Sequence, residues 1–481
     1  MINLNIIKNQ KISKHKVVEI LFFTFPLSFI IGNLVLSLHL LLFLIFSFLL
    51  IKKEKLSVGL ENSHWILIIF FLYFSISTAI QYQSPGLLNE KIQSLSFEEH
   101  PVVKSFSLFR FLLFIIVINT LFLNKILDLR RILLFSLICT SFVSFDVIFQ
   151  YLVGFDLFGL ESRGLKNPGP FGDEEIAGAY LLKFSFFSFF FFFDYVKNKK
   201  NKKLFSIFFI VFHLLAILVA GNRMPLVLVL FGCVAIILFI KNFRLIMLSS
   251  LMVFLSLFFI LVKYDSELKN SYLSFASEVN IIKLININKL KIEQKTEKVE
   301  KIEDEKNQEI EWSEGILKKN WEGIILLDNS GYNRIFRTSI AMWLEKPLFG
   351  FGLKSFRFKC WEILNKKAHL VPESNVAKFS CANHPHNYYF ELLSEAGIIG
   401  LVLILTLFFI LIKNSFYFIK IYNQKLEANT FFLLAIIISL LIEIWPLRST
   451  GSFFTTANAT YFWLVAGVLI SAIKQKNASY N

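Results

Sequence analysis

Only four cysteines occur in 481 residues, and no two of them form a C-x-x-C pair. A zinc ribbon or finger built on paired thiolates is excluded by that spacing. There is no glycine-rich nucleotide loop, so the usual backbone cradle for nucleotide phosphates is absent. There is no internal repeat, which excludes a solenoid or array. What the chain has in excess is apolar surface: 55% of it is hydrophobic, with 58 Phe, far beyond a soluble protein of this size.

Twelve apolar stretches recur, at about 17–32, 34–51, 64–81, 105–123, 132–153, 176–194, 204–220, 224–240, 245–263, 389–412, 429–446 and 456–473. Each has the length that crosses a hydrocarbon core of about 30 Å. Each must be helical, because lipid offers the backbone no hydrogen-bond partner. The first run is long and a second follows at once, so no cleavable leader is expected. The expected class is an all-α polytopic membrane protein of about twelve transmembrane helices. Its parts are an N-terminal membrane region (1–264, about nine helices), a large loop (265–388) and a C-terminal membrane region (389–481, about three helices).

Lysine and arginine orient it. One alternating set of connections carries 22 of them, including Lys8, Lys52, Arg130, Lys199, Lys241, Lys420 and Lys474. The short connections of the other set carry 6: Lys91, Lys104, Arg163, Lys166, Arg223 and Arg448. The first set is expected in the cytoplasm, with both termini inside and the large loop outside. The net charge of +15 reflects that bias and gives no reason to expect a nucleic-acid partner.

In the large loop, "KLKIEQKTEKVEKIEDEKNQEIEW" reads as a solvated insert. "YNRIFRTSIAMWLEKPLFGFGLKSF" (332–356) reads as an amphipathic helix ending near Pro347, then a glycine-rich turn. Cys139 and Cys233 fall within apolar runs, as ordinary core residues. Cys360 and Cys381 share the outer loop, where an oxidising compartment favours a disulfide. A zinc site from these two with His384 and His386 is the alternative, without paired-ligand spacing.

Polar residues collect on the loop side. "GLESRGLKNPGPFGDEEIAGAYL" (159–181) carries Arg163, "AGNRMP" carries Arg223, and "WPLRSTGSFFTT" carries Arg448; the loop adds Arg334, Arg337, His384 and His386. A single arginine at a helix end usually snorkels to headgroups. Arg110, Asp146, Lys183 and Glu443, however, all fall in the outer halves of predicted spans, where charge needs a cavity or a partner. Clustered guanidinium groups suit a phosphate or pyrophosphate. A neutral histidine suits general-base work near pH 7. In "HPHN", Asn383 could cap the following helix, Pro385 is tolerated in its first turn, and the helix N-terminus helps keep a nearby imidazole neutral. Two residues apart on a helix, His384 and His386 would point about 200° from each other.

These motifs resemble the O-antigen ligase and polymerase superfamily of bacterial envelope membrane proteins. "HPHNYYFELLSEAGIIGL" (384–401) is similar to the family's His-Asn, acidic residue, Gly-x-x-Gly pattern. "GNR" (221–223) is similar to its short periplasmic arginine motif, and "EKPLFGFGLKSF" (345–356) to its Pro…Gly-x-Gly stretch. "SRGLKNPGPFGDEEIAGAYL" departs from the pattern at "FGDEE". The resemblance implies a C-type membrane glycosyltransferase fold in the bacterial inner membrane with a periplasmic site. It implies catalysis without metal or cofactor. The donor would be a glycan on undecaprenyl pyrophosphate, and the acceptor lipid A–core, another lipid-linked glycan, or a protein. By the same resemblance His386 would deprotonate or orient the acceptor hydroxyl. Arg223, with Arg163 and one of Arg334 and Arg337, would bind pyrophosphate, while Asn387, Glu391, His384 and Arg448 would support the site. Gly397 and Gly400 read as helix-packing positions. Ligase is the preferred member, with polymerase and protein O-oligosaccharyltransferase as alternatives. A lipid-glycan flippase is the reading from another class; it would carry polar residues along a whole path, often in repeated halves.

The orientation is testable by single cysteines placed near Lys199 and near Ser313. In intact cells an impermeant thiol reagent should label only the second; labelling near Lys199 would reverse the topology.

Overall fold

The structure is a computed structural model. It describes residues 14–83, 96, 99–197, 199–278, 331–366, 381–425, 428–449 and 451–478. The Lys/Glu-rich middle of the large loop lies outside the described residues. Among the described residues the chain is helical apart from turns, one short 3-10 turn and two isolated bridges. Nine of these helices are long and apolar enough to cross a membrane. Two shorter apolar ones, Arg223–Phe239 and Phe431–Glu443, join them, as for an integral membrane protein.

The first expected span is broken. Helix Lys14–Phe23 stops and helix Phe25–Ile31 begins, with Pro26 at its start. Proline supplies no N–H, so the preceding turn leaves carbonyls open. His39 closes one of them: its Nε2–H donates to the Leu21 carbonyl at 2.7 Å, while Nδ1 meets the Ser28 hydroxyl. Helix Asn33–Glu54 follows.

At the centre stands helix Ala177–Val196, where fifteen side chains including six consecutive positions Phe186–Phe191 are buried. A helix that is apolar all round belongs in a core. It packs against Leu129–Val153, Lys202–Val219, Arg223–Phe239 and Ala428–Glu443. Rings set the spacing, with Phe192 stacked on Phe209 at 4.1 Å between centroids. On the other flank Thr456–Ala478 lies along Phe109–Leu123.

The longest helix, Tyr388–Lys425, is bent at Gly397, whose φ is 65°. The bend frees backbone groups, and the segment 346–356 comes in to take them. Ile398 N–H donates to the Pro347 carbonyl at 2.9 Å, Phe351 N–H to Ser394 at 3.0 Å, and Gly352 N–H to Glu395 at 2.8 Å. Contact this close leaves no room for a Cβ. At Gly350 it would overlap the Glu395 carbonyl, and at Gly397 that of Leu348. Gly397 thus serves a backbone-to-backbone contact, not the helix packing expected from its spacing to Gly400. Gly400 does lie beside Tyr73 of helix Asn62–Gln83.

That helix supplies the remaining partners. The Tyr73 hydroxyl lies 2.6 Å from the Ala396 carbonyl and 3.2 Å from that of Leu348. Ser77 donates to Phe349 at 3.0 Å, Tyr82 donates to Leu353 at 2.9 Å, and Thr78 accepts from Leu353 N–H at 3.0 Å. Irregular backbone beside a spanning helix persists only when its polar groups are satisfied. Cys360 and Cys381 are joined by a disulfide with Cα atoms 5.6 Å apart. It ties helix Phe356–Lys366 to the approach to the histidines, a loop closure worth about 2–4 kcal/mol.

Gly397→Ala must force a β-carbon into a left-handed turn already in contact with Leu348. It should lower stability by more than about 1 kcal/mol. Gly467→Ala, whose Cβ would meet Ile118 at ordinary contact distance, should change little. Equal melting temperatures for the two purified variants would refute the tight pairing.

Candidate active site

The helix that begins at Tyr388 is capped by Asn387, not Asn383. The Asn387 Oδ1 accepts N–H groups of Tyr389 at 2.9 Å and Phe390 at 3.3 Å, satisfying donors a helix start leaves open. Its amide donates to the Pro446 carbonyl at 2.7 Å and the Arg448 carbonyl at 3.1 Å. One buried side chain therefore both starts the helix and holds the 445–449 turn beside it.

His386 lies just outside the helix with φ 57°, and Pro385 precedes it in the loop. The left-handed residue folds the chain back. It brings the two imidazoles together, with ring centroids 4.2 Å apart at 46°. The expectation that they diverge by about 200° fails because neither residue is helical. Tyr332 meets His386 edge to face at 5.5 Å, and Phe336 stacks on Phe390 at 4.6 Å. Helix Gly331–Glu345 thus lies over the histidine turn. Arg337 is a half-buried member of it. Arg334 belongs to the same helix, but its side chain lies outside the described residues.

Glu391 is one turn further on and buried. It accepts from the Ser452 hydroxyl and from Phe453 N–H at 2.7 Å. One more turn down, Glu395 accepts from Lys354 N–H at 2.8 Å and Phe356 N–H at 3.4 Å. Asn387, Glu391 and Glu395, at four-residue steps, anchor three separate segments. Glu395 was missed in the sequence, although a second acid one turn beyond Glu391 in an apolar run is itself a signal. The hydroxyls of Tyr73, Ser77, Thr78 and Tyr82 gave no such signal, since polar side chains of that kind are ordinary in spanning helices.

Arg448 does not face an open cavity. It is 4% exposed. Its guanidinium sits 3.0 Å from the Glu443 carboxylate and over the Tyr388 ring at 4.9 Å. Lys183 reaches the same carboxylate at 3.6 Å, and the Tyr388 hydroxyl donates to it at 2.7 Å. Lys183 and Glu443, whose place in the sequence called for a cavity or a partner, are partners in a buried ion cluster. Asp146 accepts from Leu157 N–H at 2.8 Å and pins a loop; Arg110 donates to Thr456 at 3.3 Å.

Arg223 opens helix Arg223–Phe239, and its Nε donates to Ser271 at 3.1 Å. The turn before it is pressed onto the 159–176 loop, where Asn167 donates to the Val219 carbonyl at 2.6 Å. Asn222 bridges back to the Glu175 carbonyl at 3.0 Å and to Gly178 N–H at 3.3 Å. The "FGDEE" departure has a visible use here: Asp173 pairs with Arg163 and Glu175 with Lys166. These are surface pairs of small worth, with Asp173 94% exposed. Helices Arg223–Phe239 and Tyr388–Lys425 both pack on Ala428–Glu443, and Phe231 meets Trp445 at 4.0 Å. The helix that Arg223 opens and the helix that follows the histidine turn thus share one neighbour. Among the described residues no group of three or more His, Cys, Asp and Glu is arranged to hold a metal ion.

Residues 207–405 match the family model described as O-antigen ligase. The matched stretch contains Arg223, the 346–356 segment and the helix start from His384 to Gly400. A search of curated proteins found no match.

Glu443→Gln would leave Lys183 and Arg448 buried together without their counter-charge. A loss of roughly 3–5 kcal/mol is expected, read as a large drop in melting temperature of the solubilised protein. Wild-type melting would mean that the cluster does not hold the bundle.

Proposed function

We propose, since residues 207–405 match the O-antigen ligase family model, that the protein moves a glycan from undecaprenyl pyrophosphate to an acceptor hydroxyl at the periplasmic face. The fold would be of the C-type glycosyltransferase kind. The observation that carries the reading is the imidazole pair held at the start of the capped helix, beneath Tyr332. The left-handed turn at His386 fixes the direction in which its side chain leaves the backbone. Holding a non-glycine residue there costs about 1–3 kcal/mol, a strain that sites built for positioning commonly bear.

In the step proposed, His386 accepts the proton of the acceptor hydroxyl as the oxygen attacks the anomeric carbon. The new carbon–oxygen bond forms while the bond to the pyrophosphate oxygen breaks. Arg223 takes the charge developing on the leaving pyrophosphate, its fork matching two phosphate oxygens. Arg337 or Arg334 assists from the helix above. Arg163 could exchange its exposed carboxylate for a phosphate at little cost. His384, with its ring beside His386, supports or shares the base role. Asn387 and Glu391 hold the frame, and Arg448 acts through the turn it locks. The scheme needs no metal or cofactor.

Ligase-like transfer in lipopolysaccharide biosynthesis is the preferred form. Polymerase and protein O-oligosaccharyltransferase differ from it in acceptor only. Against a flippase stands the gathering of the arginine and histidine turns at the end of the bundle that carries the large loop.

Purified protein reconstituted with a lipid-linked glycan discriminates between these classes. Transfer releases free lipid pyrophosphate, whereas flipping only relocates the lipid. His386→Ala should lose about 10²–10⁴-fold in rate while keeping donor binding. Arg223→Ala should weaken donor binding as well as turnover, and His384→Ala should lose less than His386→Ala. An active His386→Ala beside an inactive His384→Ala would move the base to His384.

A further inference from the structure

Three cations gather at the far edge of the glycine segment. Lys354 has φ 59° and its N–H is fixed on Glu395. Arg357 follows in the first turn of helix Phe356–Lys366, and its Nε is buried without a hydrogen-bond partner. Lys104, from helix Pro101–Ser107, lies beside Lys354. All three side chains are half-buried. Three different constraints bring them together: the left-handed turn, a helix tied by the disulfide, and a helix packed on Asn62–Gln83.

Cations packed this closely repel unless an anion lies among them. Two carboxylates, Glu391 and Glu395, lie in the same field, so three cations face two counter-charges. None of the ion pairs found among the described residues includes Lys104, Lys354 or Arg357. The geometry points to a phosphate-binding cradle formed by Lys104, Lys354 and Arg357, separate from Arg223, that takes a phosphate or pyrophosphate group.

A guanidinium with two ammonium groups offers charge-assisted bonds to several phosphate oxygens at once. The cradle adjoins the flank of helix Tyr388–Lys425 that packs on Asn62–Gln83 and Phe356–Lys366, whereas the helix of Arg223 packs on Ala428–Glu443. Two phosphate sites on different flanks suit two phosphate-bearing lipid substrates. Assigning the cradle to the acceptor rests on the transfer reading; the cradle itself does not. Burial, and then Lys104 beside it, push the Lys354 ammonium down to about 8. Its other charged neighbours are Arg357 and Glu395; Glu391 and Tyr82 lie in the same field. A bound anion favours the protonated lysine, so affinity should fall as pH rises through 8.

Lysine acylation of the detergent-solubilised full chain at pH 8, read by mass spectrometry, tests this without any variant. Inorganic pyrophosphate should protect Lys104 and Lys354 but not exposed Lys199 and Lys200. The same lysines are read in nanodiscs of phosphatidylglycerol or phosphatidylcholine with no added anion. Protection by phosphatidylglycerol alone assigns a lipid headgroup, and protection only by soluble pyrophosphate assigns a diffusible phosphate; each supports the cradle. Unchanged acylation in every condition overturns it. Protection should persist in Arg223→Ala; its loss there would mean one site, not two, and overturn the separation. Lys354→Met with Arg357→Met should weaken pyrophosphate binding about tenfold or more. These readouts do not depend on turnover, so an inactive or misassigned His386 leaves them unaffected.

Discussion

The structure depends on the satisfaction of backbone polar groups around one bent helix. Gly397 opens the helix Tyr388–Lys425, and the opened carbonyls and N–H groups must be met, since an unmet one beside lipid costs several kcal/mol. The segment 346–356 meets them from one side, and the hydroxyls of Tyr73 and Ser77 from the other. The glycines at 350 and 397 are what allow the two backbones to touch. Everything above the bend is then positioned: Glu395 holds 354–356, Glu391 holds 452–453, and Asn387 holds 446–448. The histidine turn is the top of that post.

Buried charge in this protein does two different jobs. Glu443 with Lys183 and Arg448 forms a closed cluster whose members satisfy one another. Such a cluster is weak evidence of net stabilisation, yet removing one member is costly. Its placement beside the turn that Asn387 holds makes it part of the frame. Lys104, Lys354 and Arg357 differ: three cations lie near two carboxylates, Glu391 and Glu395, and none of the three joins an ion pair found among the described residues. Sequence position does not separate the two cases; Lys183 and Lys354 differ in what the fold places opposite them.

The pattern of apolar runs, the lysine bias and the His-Asn-acid-glycine wording were legible because each is local. Length and hydropathy determine a spanning helix, and a left-handed or tightly packed backbone selects glycine at 350 and 397. The same sequence determined that ionisable residues at 110, 146, 183 and 443 would need a cavity or a partner. It could not say which, because partners lie far along the chain: Lys183 meets Glu443, and Arg110 meets Thr456. The sequence did not reveal that His384 and His386 lie side by side, since a helix would separate them and only the turn at φ 57° unites them. Nor could it distinguish Asn387 from Asn383 as the cap, since both precede an apolar run. The helical class and the motifs that resemble the family were written in the chain by itself. Which charges lock the frame was decided by tertiary structure, because the partner of a buried charge is set by packing between distant segments.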